Sequence, residues 1–146
     1  DSLMKKLTWW FRIVGGFYLL LAEMNLYFVL INPGFAGTMI TFPFAATPDA
    51  VQAFVDGWSP FAFEVFGLAT FMLWASFNPR RYLGAVWLLV WLEFTHGVLD
   101  DIYLIWRGYD MIGYLVFIAV HLAIIVTGIL FVRQAEAEVA AASASS

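Results

Sequence analysis

The chain has 146 residues, of which 63% are apolar and only 12% are charged. Soluble domains average about 45–50% apolar and about 25% charged residues, so this composition excludes an ordinary soluble domain and indicates an integral membrane protein. The absence of cysteine excludes disulfides and thiolate metal sites, and the net charge of −4 gives no reason to expect a nucleic-acid partner.

Four apolar segments have roughly the twenty residues that a helix needs to cross a bilayer. These spans are residues 7–31, 60–77, 82–106 and 109–132. Short connections make the last three spans antiparallel neighbours. The sequence therefore predicts an all-α integral membrane four-helix bundle, one domain over residues 1–133, followed by an Ala/Ser-rich cytoplasmic tail over residues 134–146. Tails of this composition are usually frayed.

The first connection between spans contains a helix signal of its own. Thr47, Pro48 and Asp49 are typical of an N-cap, a first-turn proline and an acid that complements the helix dipole. Apolar residues then recur at helical spacing. The pattern predicts a short amphipathic helix that lies on the membrane surface in the first outer loop.

Basic residues set the predicted orientation. Six of the seven fall on one side of the predicted topology: Lys5, Lys6, Arg12, Arg80, Arg81 and Arg133. The opposite side has only Arg107. By the positive-inside rule, both termini are predicted to be cytoplasmic, and the spans are surrounded by the lipid bilayer.

Ionisable residues interrupt the third span, WLEFTHGVLDDIY, over residues 91–103. At about 100° per residue, Glu93, His96 and Asp100 fall on one stripe of an α-helix, whereas the next residue, Asp101, points to the flank. The other spans carry ionisable groups at comparable depths, counted at about 1.5 Å per residue. These groups are Glu23, Glu64 and His121.

Burial makes these groups informative, because a charge at the bilayer centre costs about 2.5–3.5 kcal/mol even on lenient insertion scales. No lysine or arginine lies deep enough in the spans to neutralise the carboxylates. The carboxyl groups must therefore be protonated, paired with one another or bound to a cation. The first interpretation is structural: hydrogen bonds between helices that hold the bundle in register.

A metal site is the second interpretation. Glu93-x-x-His96 is the spacing by which helical bundles present two ligands from one face to a metal, with single glutamates on neighbouring helices. Glu23 and Glu64 would supply those glutamates, and Asp100 or His121 would add ligands. The cofactor in this interpretation is a divalent metal ion, but the sequence has only one such motif, whereas these bundles usually have two.

Acid–base chemistry is the third interpretation. His96 lies between Glu93 and Asp100 on the predicted stripe and could hold or pass a proton. An enzyme that acts on a lipophilic substrate needs such groups in a pocket that opens sideways to the membrane. The catalytic candidates are then Glu93, His96 and Asp100.

Two segments also resemble a known group of proteins. FRIVGGFYLLLAEMNLYF (11–28) and HLAIIVTGILFVR (121–133) look like the first and last spans of small bacterial membrane proteins of the DoxX-like and BphX-like kind. The resemblance implies a multi-pass protein of the bacterial inner membrane, linked to a redox or hydrocarbon-oxidation context. It also implies an accessory subunit with other membrane subunits as partners, and it identifies no catalytic residue. The alternative is a membrane enzyme that uses the Glu/His/Asp cluster on a lipophilic substrate.

Overall fold

The computed structural model describes residues 2–145, and this part of the chain is helical, without strands. The α-helices are α1 (Ser2–Leu30), α2 (Ala36–Met39), α3 (Pro48–Ala75), α4 (Leu83–Leu92), α5 (Asp100–Trp106) and α6 (Met111–Ala144). Short 3₁₀ turns, Pro33–Phe35 and Pro79–Tyr82, precede α2 and α4. A π-helix, Glu93–Leu99, joins α4 to α5 without a break and is called the π segment below.

In the described part of the chain, three helical stretches are long and apolar enough to cross a membrane, which indicates a membrane protein. They are Ser2–Leu30, Pro79–Trp106 and Met111–Ala144, and they correspond to the first, third and fourth predicted spans. Helix α3 has 28 residues and carries Asp49, Asp56 and Glu64, and it is not one of these three stretches.

Side-chain contacts show that the long helices run antiparallel in pairs. Near the start of α1 and the end of α3, Arg12 Nε donates to Ser76 Oγ at 3.4 Å. Near the other ends of these helices, Trp58 Nε1 donates to Asn25 Oδ1 at 2.6 Å. The start of α4 lies beside the end of α6, and α1 also packs on α6.

The structure corrects the prediction for the first loop. Residues 48–58 are not a separate surface helix but the first turns of α3, which continues through Pro60. Proline has no N–H to donate to the carbonyl four residues earlier, and here that carbonyl belongs to Asp56. Ser59 Oγ donates to Asp56 O at 2.9 Å and replaces the missing bond, so the helix does not end. The predicted N-cap is confirmed: the Thr47 side chain accepts from the Ala50 N–H.

In the Ala/Ser-rich tail, α6 continues as helix to Ala144. Alanine and glutamate are strong helix formers. The continuation is also fixed by contacts with α4, since Ala135 is buried and Trp87 Nε1 donates to Glu136 Oε1 at 2.8 Å.

The apolar core lies at the end of the molecule where α1 begins and α6 ends, called the packed end below. Its buried residues come from α1, α3, α4 and α6, and the largest of those that are completely buried are Leu7, Phe11, Met72, Val86 and Val132. Trp10 joins α1 to α6, with Nε1 donating to Thr127 Oγ1 at 3.1 Å. A second, smaller cluster of Phe28, Ala36, Val51 and Val55 closes the opposite end.

Candidate functional site

A histidine between two carboxyl groups occupies the interface of α6 with the π segment and α5. His121 Nδ1 lies 2.6 Å from Glu93 Oε2, and His121 Nε2 lies 3.5 Å from Asp101 Oδ2. Glu93 and Asp101 are 2% and 5% exposed, so both carboxyl groups are buried. We call these three residues the His121 triad. Its proton arrangement matters to stability, because a buried charge without a partner costs several kcal/mol.

Gly97 makes room for the imidazole ring of this triad. A Cβ at position 97 would lie 2.6 Å from His121 Cγ, closer than carbon atoms of separate residues pack. Glycine at this position therefore allows the π segment and α6 to approach closely enough for His121 to reach Glu93 Oε2. The small residue is part of the site rather than only a packing contact between spans.

The π segment explains why Asp101 joins the triad. In a regular α-helix, Glu93 and Asp100 share a stripe, and this geometry led to the prediction that Asp101 faces the flank. A π-helix takes more residues per turn, so every later residue is rotated relative to an α-helix. The rotation directs Asp101 inward, where it is 5% exposed, and leaves Asp100 only half-buried. Segments of π-helix are rare and occur frequently at functional sites.

The predicted Glu93-x-x-His96 pair does not act as one unit. Glu93 is buried against His121, whereas the His96 side chain is 49% exposed and has its Nδ1 3.5 Å from Glu64 Oε1. Positions three apart no longer align in a π-helix, which separates the two side chains. The structure thus brings together Glu93 with His121 and Glu64 with His96. Glu23, the predicted contribution of α1, is exposed and does not line the cavity described next.

A cavity of about 200 Å³ lies next to the His121 triad, between α1, α3, α5 and α6. Both His121 and Asp101 line it, as do Asp100 and Glu64. Most of its wall is apolar or aromatic, with Tyr18, Trp58, Phe61, Tyr114 and Phe117 among the lining residues. Ligand sites typically combine such walls with a few converging polar groups. The part of the molecule that holds this space is called the cavity end below.

A second, more open hollow of about 460 Å³ adjoins this cavity between α3 and the π segment. The two spaces share Trp58, Phe61, His96 and Asp100, and the second adds Thr95 and Leu99. Helix α3 packs chiefly on α1 and makes few contacts with α4 or the π segment. The cavity therefore has an approach from the side of the helix assembly, past the Glu64–His96 pair.

The wall beside this approach is held by a buried hydrogen bond. Asn25 is 8% exposed and donates through Nδ2 to Leu21 O at 2.7 Å. Its Oδ1 accepts from Trp58 Nε1 at 2.6 Å, which fixes the indole between α1 and α3. Trp58 in turn stacks with Phe54 and contacts Phe61 edge-on. Sequence reasoning missed Asn25, although a buried amide in an apolar helix was a usable signal.

Donor geometry does not favour a metal at the predicted ligands. Within residues 2–145, no group of three or more His, Asp or Glu side chains is arranged to hold a metal ion. Both ring nitrogens of His121 face carboxyl oxygens, and His96 Nδ1 faces Glu64. The histidines are therefore positioned as partners of carboxyl groups.

Proton transfer is the chemistry that the His121 triad can perform. A carboxylate on one ring nitrogen orients an imidazole and stabilises its protonated form. In this site Glu93 supplies that contact at Nδ1, while Nε2 faces Asp101 at the cavity wall. Within residues 2–145, two buried oxygens, Glu93 Oε1 and Asp101 Oδ2, have no hydrogen-bond partner. Such unsatisfied groups are uncommon in native proteins.

Comparison of the chain with protein-family models, with curated proteins and with solved structures finds no match.

Proposed function

We propose that this chain is a four-helix membrane protein that takes a lipophilic molecule sideways from the bilayer and performs acid–base chemistry on its polar group at His121. The observation that carries the proposal is the position of the buried His121 triad beside a cavity with a lateral approach. A cavity that is lined by a hydrogen-bonded imidazole on one side and by apolar side chains on the others suits a molecule with one polar and one apolar part.

In this proposal, α3 also crosses the membrane, as the second of four spans, and both termini are cytoplasmic. The antiparallel helix pairs and the 28-residue length of α3 support the first part. The second part is supported by the basic residues, since Lys5, Lys6, Arg80 and Arg81 all belong to the packed end of the molecule. The cavity would then lie in the outer half of the bilayer.

His121 has the central role in the proposed chemistry. Glu93 holds Nδ1 and favours the imidazolium form, so Nε2 is the atom that exchanges a proton with the bound molecule or with Asp101. Asp101 lies on the other side of the ring as a second proton acceptor. The Glu64–His96 pair, which is more exposed, borders the lateral approach.

Binding is tested by identifying what copurifies from native membranes under mild detergent. Val65 is buried and lines the cavity, so Val65→Phe should fill part of it and reduce the amount of bound lipophile severalfold. Val126→Phe is the matched control, because Val126 is exposed on α6 and does not line the cavity. Equal lipophile content in the Val65→Phe and wild-type proteins, both folded by thermal unfolding, would contradict the proposal.

Chemistry is tested with Glu93→Gln, which keeps a hydrogen-bonding side chain but removes the charge that favours the imidazolium. We expect this variant to accumulate unreacted substrate, so mass spectrometry should find a different bound molecule from that in the wild type. Identical molecules in both proteins would remove the enzymatic part of the proposal and leave the binding part.

The alternative, an accessory subunit of a larger bacterial membrane complex in a redox or hydrocarbon-oxidation context, stays a prediction, as does the resemblance to DoxX-like and BphX-like proteins. One observation favours a partner protein. Helix α6 is the least buried of the three candidate spans, since only 17% of its most apolar stretch is buried. A tightly associated protein that copurifies in mild detergent, and that α6 substitutions such as Val116→Glu release, is the outcome expected of a subunit.

A further inference from the structure

Charge is unbalanced around the cavity. Among the residues that the structure describes, four carboxyl residues line it, namely Glu64, Asp100, Asp101 and Asp110, whereas no lysine or arginine does. The two lining histidines, His96 and His121, are fewer than these carboxyl groups even if both are protonated. Glu93 adds a fifth carboxyl group behind His121. Asp100 and Asp110 have no ion-pair partner among residues 2–145.

Asp101 supplies an independent indication of a missing partner. The residue is 5% exposed and lines the cavity, and no residue among 2–145 donates a hydrogen bond to its Oδ2. His121 Nε2, at 3.5 Å, is close enough for electrostatic attraction but not for a well-formed hydrogen bond. A buried carboxylate in this position is stabilised by a donor that carries positive charge, since charged hydrogen bonds are roughly twice as strong as neutral ones.

Aromatic rings complete this environment. Trp58, Phe61 and Phe117 line the cavity, and Trp58 and Phe61 also line the adjoining hollow. Aromatic faces attract ammonium groups and also contact alkyl chains. Drug-sized ligands occupy about 300–1,000 Å³, so the cavity of about 200 Å³ can take a head group while the adjoining hollow takes the chain.

From these observations we infer that the lipophilic molecule is an amine that binds as its ammonium form. The inference rests on the proposed function and names the substrate class for the same cavity. The ammonium group lies among Asp101, Asp100 and Glu64, and the alkyl chain leaves between α3 and the π segment, past Phe61 and Leu99. Binding neutralises carboxyl groups that have no lysine or arginine partner in the cavity.

The experiment uses three amphiphiles with the same chain and different head groups: dodecylamine, dodecanol and dodecanoate. The protein in lipid nanodiscs is irradiated with either of two probes, a dodecylamine or a dodecanol that carries a diazirine near its head group, and labelled peptides are located by mass spectrometry. We expect labelling of cavity residues. Dodecylamine should compete at least about tenfold better than dodecanol at equal bilayer mole fraction, and dodecanoate should compete least.

Variants test whether the carboxyl groups of the cavity, rather than acidic residues elsewhere in the chain, bind the amine. Asp101→Asn keeps the shape of the side chain and should reduce labelling by about tenfold. Asp100→Asn is the second variant, since Asp100 is half-buried and its substitution should disturb folding less. Glu23→Gln is the matched control: it removes one carboxylate from a candidate span but does not line the cavity, so labelling should not change.

The outcomes distinguish this inference from the proposed function. Equal competition by dodecylamine and dodecanol, or labelling of the cavity by a dodecanol probe alone, overturns the amine inference and leaves the lipophile-binding proposal in place. Unchanged labelling in folded Asp101→Asn and Asp100→Asn proteins also overturns the inference. Failure of both probes to label the cavity overturns the inference and the proposed function together.

Discussion

At the packed end, Leu7, Phe11, Met72 and Val132 are completely buried and the helices meet through apolar side chains. At the cavity end, the same helices line a cavity, and buried polar contacts join them: Asn25 with Trp58, and Glu93 with His121. Lipid chains are as apolar as leucine, so packing rather than water exclusion holds the packed end together. The difference shows a division between the two ends. The packed end stabilises the fold, and this stability offsets the cost of the buried acids and the cavity at the other end.

The largest expected loss of stability follows the substitution of His121, the central histidine of the cavity end. His121→Leu leaves Glu93 and Asp101 buried without their partner, and we expect the free energy of unfolding to fall by about 3–5 kcal/mol. Thermal or denaturant unfolding in detergent measures this change. His96→Leu is the control, because its pair with Glu64 is exposed and such pairs contribute about 0–1 kcal/mol. Similar unfolding of both variants would contradict the central role of His121.

An intermediate effect compares the two ends through glycines. At the packed end, a Cβ on Gly128 would lie 2.8 Å from Val90 Cγ2 and 2.9 Å from Trp10 Cζ2, so Gly128→Ala should destabilise by about 1–3 kcal/mol. Gly97→Ala should cost a similar amount, because a Cβ there would lie 2.6–2.8 Å from three ring atoms of His121, which must shift while it stays in contact with Glu93. Unlike Gly128→Ala, it should also reduce ligand binding, because His121 lines the cavity.

Gly67→Ala is the matched control for both glycines. Nothing lies within 4 Å of a Cβ at that position, and alanine favours helix by up to about 1 kcal/mol. The comparison would fail if Gly97→Ala left ligand binding unchanged, or if Gly128→Ala reduced ligand binding as much as Gly97→Ala.

The smallest expected effect concerns the wall of the cavity. Trp58→Phe keeps an aromatic ring but removes the N–H that Asn25 Oδ1 accepts, so the free energy of unfolding should fall by about 1 kcal/mol. The altered wall should also change ligand binding. Trp91→Phe is the control, since Trp91 is exposed and its substitution should change stability by less than about 0.5 kcal/mol. A larger loss of stability for Trp91→Phe than for Trp58→Phe would contradict the stabilising role of the Asn25–Trp58 hydrogen bond.

Most of the helices could be predicted because hydropathy and turn residues are local properties. The predicted spans 7–31, 82–106 and 109–132 coincide with α1, with α4 to α5 and with the apolar part of α6. The first loop could not be predicted correctly in the same way. Whether Pro60 ends a helix depended on a hydrogen bond from Ser59 to Asp56, which composition does not reveal.

The candidate site was predicted in part. Glu93 and His121 were expected at one depth, and they form a hydrogen bond. Asp101 was placed on the flank because the α-helical period was applied through a segment that is a π-helix. Glu23 has suitable depth but lies on an exposed face of α1. Depth follows from counting residues, whereas the facing of a side chain also depends on the local period and on neighbouring helices.

The sequence by itself determined two properties of this protein. It predicts a membrane environment, because the chain is apolar, and it places more acidic than basic residues within the apolar segments. Only the tertiary structure decided which acids meet. The π segment turns Asp101 towards α6, and Gly97 admits the ring of His121 between Glu93 and Asp101. These contacts join residues far apart in the chain, so they are set by how the helices pack and not by the pattern of any single helix.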